Sequence, residues 1–329
     1  MNILFLRGQV PPANEHPEKL EYRYISDCED MWTQLFWKMT NVLGATGEMV
    51  YQGGIREKQV DRCFTERWVK SIGSYKPKKA PDVVFCRGGF PYYDKLVERF
   101  SGALKVYYGA GDRFYPTSEF INYDLFLVDT PKQAEEVKVL AMSAKVALFV
   151  KPAAYLFRPA PVKKTYDVCF MANATQAEIK GHELFLKSMA GSGLSILNVG
   201  NVDQKYVDMA KDLGVNIEWK GWHLRKDLPS IISSCKVGVV CSVSKDSCPR
   251  VIPEYLACGL PVVATEDVRF WSEQYITSES GVVVPRDGIL DGVKDVLGRL
   301  KSFNAAGYYE KELSLEKSAD SIAGMIEKR

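Results

Sequence analysis

Residues Ser242 to Thr265 read SVSKDSCPRVIPEYLACGLPVVAT. Preceded by the apolar run Val237 to Cys241, the stretch passes through a polar loop, a short helical pattern entered through Pro249 and Pro253, a glycine stop at Gly259 and a second apolar run, Pro261 to Ala264. Apolar run, loop, helix and apolar run make the unit from which parallel sheets covered on both faces are built. Ligands of such sheets sit beyond the carboxyl ends of the strands, where helix N-termini offer N–H groups to anions. Asp246 in the loop and Glu254 in the early helix, seven residues between them, bring two carboxylates to that end, and Ser247, Cys248, Arg250 and Val251 can turn N–H groups toward a diphosphate.

The same rhythm extends in both directions. Downstream of a proline-bearing, basic break at Lys151 to Lys164, strands are expected at Tyr166 to Met171, Ile196 to Val199, Ile217 to Trp219, Val237 to Cys241, Pro261 to Ala264 and Val282 to Val284. Upstream they are expected at Ile3 to Leu6, Asp82 to Cys86, Leu104 to Tyr108, Leu125 to Val128 and Val146 to Val150. Helical patterns fall at Met31 to Leu43, Tyr92 to Phe100 and Lys132 to Met142, the last opened by Thr130-Pro131 as cap and first-turn proline. Two further helical stretches, near Leu290 to Leu300 and Leu315 to Glu327, close the chain. The fold class is therefore α/β, with two domains facing across a cleft, residues 1–155 and 156–329, and a last helix free to cross back to the first domain.

A chain of 329 residues with 46% hydrophobic content can bury more than one core. Its 43 basic and 41 acidic residues give a net charge of +2, which disfavours a general polyanion binder. The eight cysteines form no C-x-x-C pair and several stand in apolar runs, so they read as reduced, buried thiols of a cytoplasmic protein. Three histidines without H-x-x-x-H spacing argue against a metal site. The opening Met1 to Gly8 is too short an apolar run for a signal peptide or membrane span and reads as a buried strand.

With Asp246, seven residues, Glu254 and then ACGLPVVAT, the segment resembles the signature of the family-4 retaining glycosyltransferases of the GT-B fold, the glycosyl transferases group 1. Phe157-Arg158-Pro159 is similar to the family's interdomain F-x-P, Lys180-Gly181 to its K-G, Gly221-Trp222 to its glycine turn and Ser280 to Pro285 to its G-x-L-V-P stretch. The resemblance spans roughly Leu125 to the end and is weak upstream. It implies two Rossmann-like domains, the first for the acceptor and the second for a nucleotide sugar. Glu254 would then accept from ribose hydroxyls, and Asp246 would hold the donor sugar. Lys180, Arg250 and the Pro249 to Val251 backbone would meet the diphosphate, with Ser247 and Cys248 beside it. Gly221, Trp222 and His223 would line the base pocket, and Gly8 would approach the donor from the first domain.

The sequence departs from the family at several points. The first signature carboxylate is the shorter Asp246, and no arginine follows the strand that ends Met171-Ala172-Asn173-Ala174, a place Arg250 can fill. The glycine-rich loop after the first strand is reduced to Arg7-Gly8-Gln9-Val10-Pro11-Pro12. A histidine of the first domain is replaced by the stretch Tyr107 to Arg113, where Asp112 is the candidate to contact a sugar. Simpler readings stand beside these: Glu254 as a helix-dipole partner, Asp246 as an N-cap, Lys180 as a solvated lysine and Trp222 as a packing residue. Lys58 to Lys79 sets seven basic side chains against Asp61 and Glu66. That segment reads either as a solvated amphipathic helix and loop or as a guide for an anionic acceptor.

The expected activity is hexosyltransferase-type transfer (EC 2.4) from a UDP- or GDP-sugar to an acceptor hydroxyl with retention. No D-x-D motif occurs, and neither a metal nor another cofactor is expected. The acceptor is open between glycan, lipid, protein and nucleic acid. The alternatives are a non-catalytic sugar-nucleotide-binding module and a sugar-nucleotide epimerase or phosphorylase on the same fold.

Overall fold

In a computed structural model the described residues are 1–9, 22–87, 91–109, 122–141, 143–173, 176–242, 249–266 and 275–328. They form two compact units, Met1–Val150 with Leu315–Arg329, and Lys151–Ser314.

The first unit is built on eight strands: β1 (Asn2–Gln9), β2 (Thr46–Gln52), β3 (Arg56–Gln59), β4 (Phe64–Val69), β5 (Val83–Arg87), β6 (Leu104–Gly109), β7 (Leu125–Val128) and β8 (Lys145–Leu148). Their order is β3-β4-β2-β1-β5-β6-β7-β8, and every neighbouring pair is parallel except β3 with β4. The central strands are continuous apolar runs because both faces are covered, and Ile3 to Leu6 and Val83 to Cys86 are fully buried. Helix α1 (Met31–Val42) lays Leu35, Phe36 and Met39 on one face, the Phe36 ring stacking on Phe5 at 4.3 Å. Its first turn is capped by Asp30, whose side chain accepts from Thr33 N at 2.9 Å. Helices α2 (Pro91–Glu98) and α3 (Pro131–Leu140) follow β5 and β7, α3 opening with Thr130 Oγ1 accepting from Gln133 N at 3.1 Å. The helix Leu315–Glu327 packs along α1, with Ser318 Oγ donating to Val150 O at 2.9 Å.

Two expectations for this unit are corrected. The helix and loop read over Lys58 to Lys79 give way to the antiparallel β3–β4 hairpin and an irregular stretch after it. Alternation decides this: Phe64, Glu66 and Trp68 point inward while Thr65, Arg67 and Val69 do not, a period of two that suits a strand. Buried Glu66 accepts from the hydroxyls of Tyr22 (2.6 Å) and Tyr51 (2.7 Å), so a charge inside the strand is satisfied. Gly8, read in a loop, belongs to β1, where it is the extra residue of a bulge between Arg7 and Gln9.

The second unit has six strands, all parallel: β9 (Tyr166–Met171), β10 (Ile196–Val199), β11 (Ile217–Trp219), β12 (Cys235–Val240), β13 (Val262–Thr265) and β14 (Gly281–Val284). Their order is β11-β10-β9-β12-β13-β14. Helices α4 (Ala177–Lys180), α5 (His182–Met189), α6 (Gln204–Asp212), α7 (Leu228–Ser233), α8 (Val251–Ala257) and the helix Ile289–Gly298 alternate with the strands. Their apolar faces close a core around Val168, Phe170, Phe185, Val237 and Val263. No helix among the described residues is long and apolar enough to cross a membrane.

Candidate functional site

From β9 the chain of the second unit runs outward to β10 and β11, then returns past β9 to lay down β12, β13 and β14 on the other side. The switch point lies between β9 and β12, and in open α/β sheets that is where ligands bind, outside the carboxyl ends of the strands. The segments leaving these two strands carry Lys180 and Pro249 to Glu254.

Glycines draw this edge together. Gly181 caps α4 with φ +72°, and a Cβ there would stand 2.4 Å from Cys241 O at the end of β12, so no other residue fits. Lys180 is thereby held over the carboxyl end of the neighbouring strand. Gly200, with φ +126°, approaches Ala172 O just as closely, and its N–H donates to Gly221 O at 2.9 Å, tying the turn after β11 to the ends of β10 and β9.

Helix α8 is fixed at three points. Its C-terminus is a Schellman motif around Gly259 (φ +80°), with Gly259 N donating to Leu256 O and Leu260 N to Tyr255 O, both at 2.9 Å. Tyr255 lies against the bare backbone of Gly238 in β12. The Tyr255 hydroxyl accepts from Met171 N (2.6 Å) and donates to Cys169 O (3.3 Å), bonding the helix to β9 across the switch point. Glu254, the preceding residue, is only 6% exposed in the helix's first turn. Its Oε1 accepts from Arg225 Nη2 at 2.9 Å. Arg225, in the 3₁₀ turn Arg225–Asp227 after β11, rests its guanidinium 5.3 Å from the ring centroid of Phe157.

Around this pair, Pro249 is buried, Val251 half-buried and Arg250 exposed. Trp222 is 48% exposed, and half-buried His223 has an enclosed Nε2 without a partner among the described residues. His182, by contrast, is a core histidine set between Phe170 and Tyr206 at 5.2 and 5.1 Å, and burial lowers its pKa so that it is held neutral. Asp246, Ser247 and Cys248 lie outside the described residues, as does Asp112. Gly8 belongs to the first unit. Among the described residues no cluster of three or more His, Cys, Asp or Glu could hold a metal ion.

The fold thus brings together the turn after β11, the K-G segment after β9 and α8 after β12, with a buried carboxylate among them. Arg225 is the functional candidate that the sequence reading misses. Its bond to Glu254 spans 29 positions and only the closing of the sheet creates it.

Residues 165–300 match the family described as Glycosyl transferases group 1. No curated protein matches the chain. Among solved structures, the chain is similar to a glycosyltransferase from Rickettsia africae, with 14% identity, a TM-score of 0.72 and coverage of 99% of this chain and 98% of that one. Sucrose-phosphate synthase from Thermosynechococcus elongatus gives 12% identity and a TM-score of 0.71, covering 100% and 98%. Anabaena HepE in complex with UDP gives 12% and 0.70, covering all of both chains. At such identities the likeness shows the fold, GT-B with two Rossmann-like domains.

Proposed function

We propose that this chain, a group 1 glycosyltransferase by its 165–300 domain and its GT-B fold, moves a hexosyl group from a nucleotide sugar to an acceptor hydroxyl, with retention and without a resident metal. The observation that carries the reading is the buried carboxylate of Glu254, anchored through one oxygen at the switch point of the second sheet. A carboxylate so placed suits the vicinal hydroxyls of a pentose. The complexes with UDP and with UDP-glucose of the HepE structures support a uridine nucleotide as the first donor to try.

In this reading Glu254 grips the ribose and Trp222 and His223 flank the base. Lys180 and Arg250 counter the diphosphate, whose negative charge grows as the glycosyl bond breaks. Asp246 holds the sugar ring, and the acceptor hydroxyl enters on the face from which the phosphate oxygen leaves. The absence of D-x-D supports charge stabilisation by these groups alone. Seven described cysteines, all free, support a reducing cytoplasmic setting.

Incubation with UDP-, GDP- and ADP-sugars and an acceptor panel tests the reading through release of free nucleoside diphosphate. Glu254→Ala is expected to raise the donor KM about tenfold, and Asp246→Asn to lower kcat about 100-fold. Tight donor binding without release would instead assign a binding module, and unchanged kinetics in both variants would remove the site.

A further inference from the structure

Glu254 does not stand alone, and its partner comes from the segment that also carries the residues read as the base pocket. Arg225 follows Gly221, Trp222 and His223 on the turn after β11, while Glu254 opens α8 after β12, three strands away in the sheet order. Nothing in the local chemistry of either segment requires the other. The bond between them forms because the guanidinium is laid on the Phe157 ring and reaches Oε1 from there at 2.9 Å. Arg225 Nε is enclosed and has no partner among the described residues, so the fork is held by one good charge-assisted bond and one aromatic contact.

A surface ion pair would be worth little, but this carboxylate is 6% exposed and cannot choose among rotamers in water. Without its partner it would be a buried carboxylate free to turn.

We infer that Arg225 is a positioning residue for the donor site: it holds the Glu254 carboxylate oriented by one oxygen, so that Oε2 accepts from the ribose hydroxyls. The inference rests on the ribose role proposed for Glu254. It also gives the turn after β11 a second task, since displacement of Trp222 and His223 by a base would be felt at the ribose through the same turn. Phe157 has a task as well, as the flat support from which the guanidinium reaches across.

Calorimetric titration compares binding of a nucleoside diphosphate with binding of its 2′,3′-dideoxy analogue, the probe being whichever of UDP, GDP and ADP the wild-type protein binds most tightly. The wild type is expected to prefer the natural ligand about tenfold, roughly 1.4 kcal/mol. Arg225→Met should abolish that preference by weakening the natural ligand alone, and Arg225→Lys should restore part of it. In a Glu254→Ala background, Arg225→Met should change nothing further. Equal weakening of both ligands by Arg225→Met would make the residue merely structural and overturn the inference, as would a preference left intact. Should Glu254→Ala itself keep the preference, or none of the three nucleotides bind, the ribose reading fails, and the inference with it. Loss of preference in Glu254→Ala but not in Arg225→Met would overturn the inference alone.

Discussion

Asp30 illustrates how much one carboxylate can hold. It accepts from both Thr33 N and Thr33 Oγ1 at 2.9 Å and pairs with Arg7, a guanidinium only 5% exposed at the end of β1. Burial by itself would raise the Asp30 pKa, but the charge and hydrogen bond of Arg7, helped by Arg87, hold it at about 2. Since the folded value lies below the ordinary one, this stabilisation, about 2 kcal/mol, is complete above about pH 4 and is lost as pH falls toward 2. Asp30→Asn, which leaves Arg7 buried without its countercharge, is expected to cost about 3 kcal/mol at pH 7 in urea melts, with the gap to wild type closing near pH 2. At this scale the sequence is legible only where spacing is short. Asp246 and Glu254 stand out because seven residues separate them within one loop and helix, whereas Arg7 with Asp30, and Arg225 with Glu254, meet through the fold.

Among the elements, α8 and β12 carry the most consequence for the site. A Cβ on Gly238 would stand 2.3 Å from the Tyr255 ring, so Gly238→Ala must lift the helix that bears Glu254. The expected loss is about 1 to 3 kcal/mol of stability, with weaker nucleotide binding by thermal shift. Tyr255→Phe keeps the ring but leaves Met171 N without its acceptor, and about 1 kcal/mol is expected to go in the same melts. The strands of the second sheet were legible mainly because strands covered on both faces read as largely apolar runs, Val237 to Val240 and Val262 to Ala264 most plainly, whereas β11 carries the exposed Glu218. In the first sheet β2, β3 and β4 were not. Glu48, Glu66 and Arg67 interrupt them, and what makes those charges tolerable is long-range: Arg67 Nε donates to Glu48 at 2.5 Å, and two tyrosine hydroxyls serve Glu66.

The molecule as a whole is two units of which only the second is continuous in sequence. The first is completed by Leu315–Arg329, whose Leu315, Ala319, Ile322 and Ile326 are buried. Ending the chain at Ser314 is expected to strip α1 of that cover and lower the first unit's melting temperature, while the Lys151–Ser314 unit keeps its own; calorimetry resolving two transitions checks this. The arrangement also sets an order of events on the ribosome. The second unit can fold as it emerges, but the half made earlier waits with the face of α1 bare until the final helix leaves the exit tunnel, and during that wait it is the natural client for a chaperone.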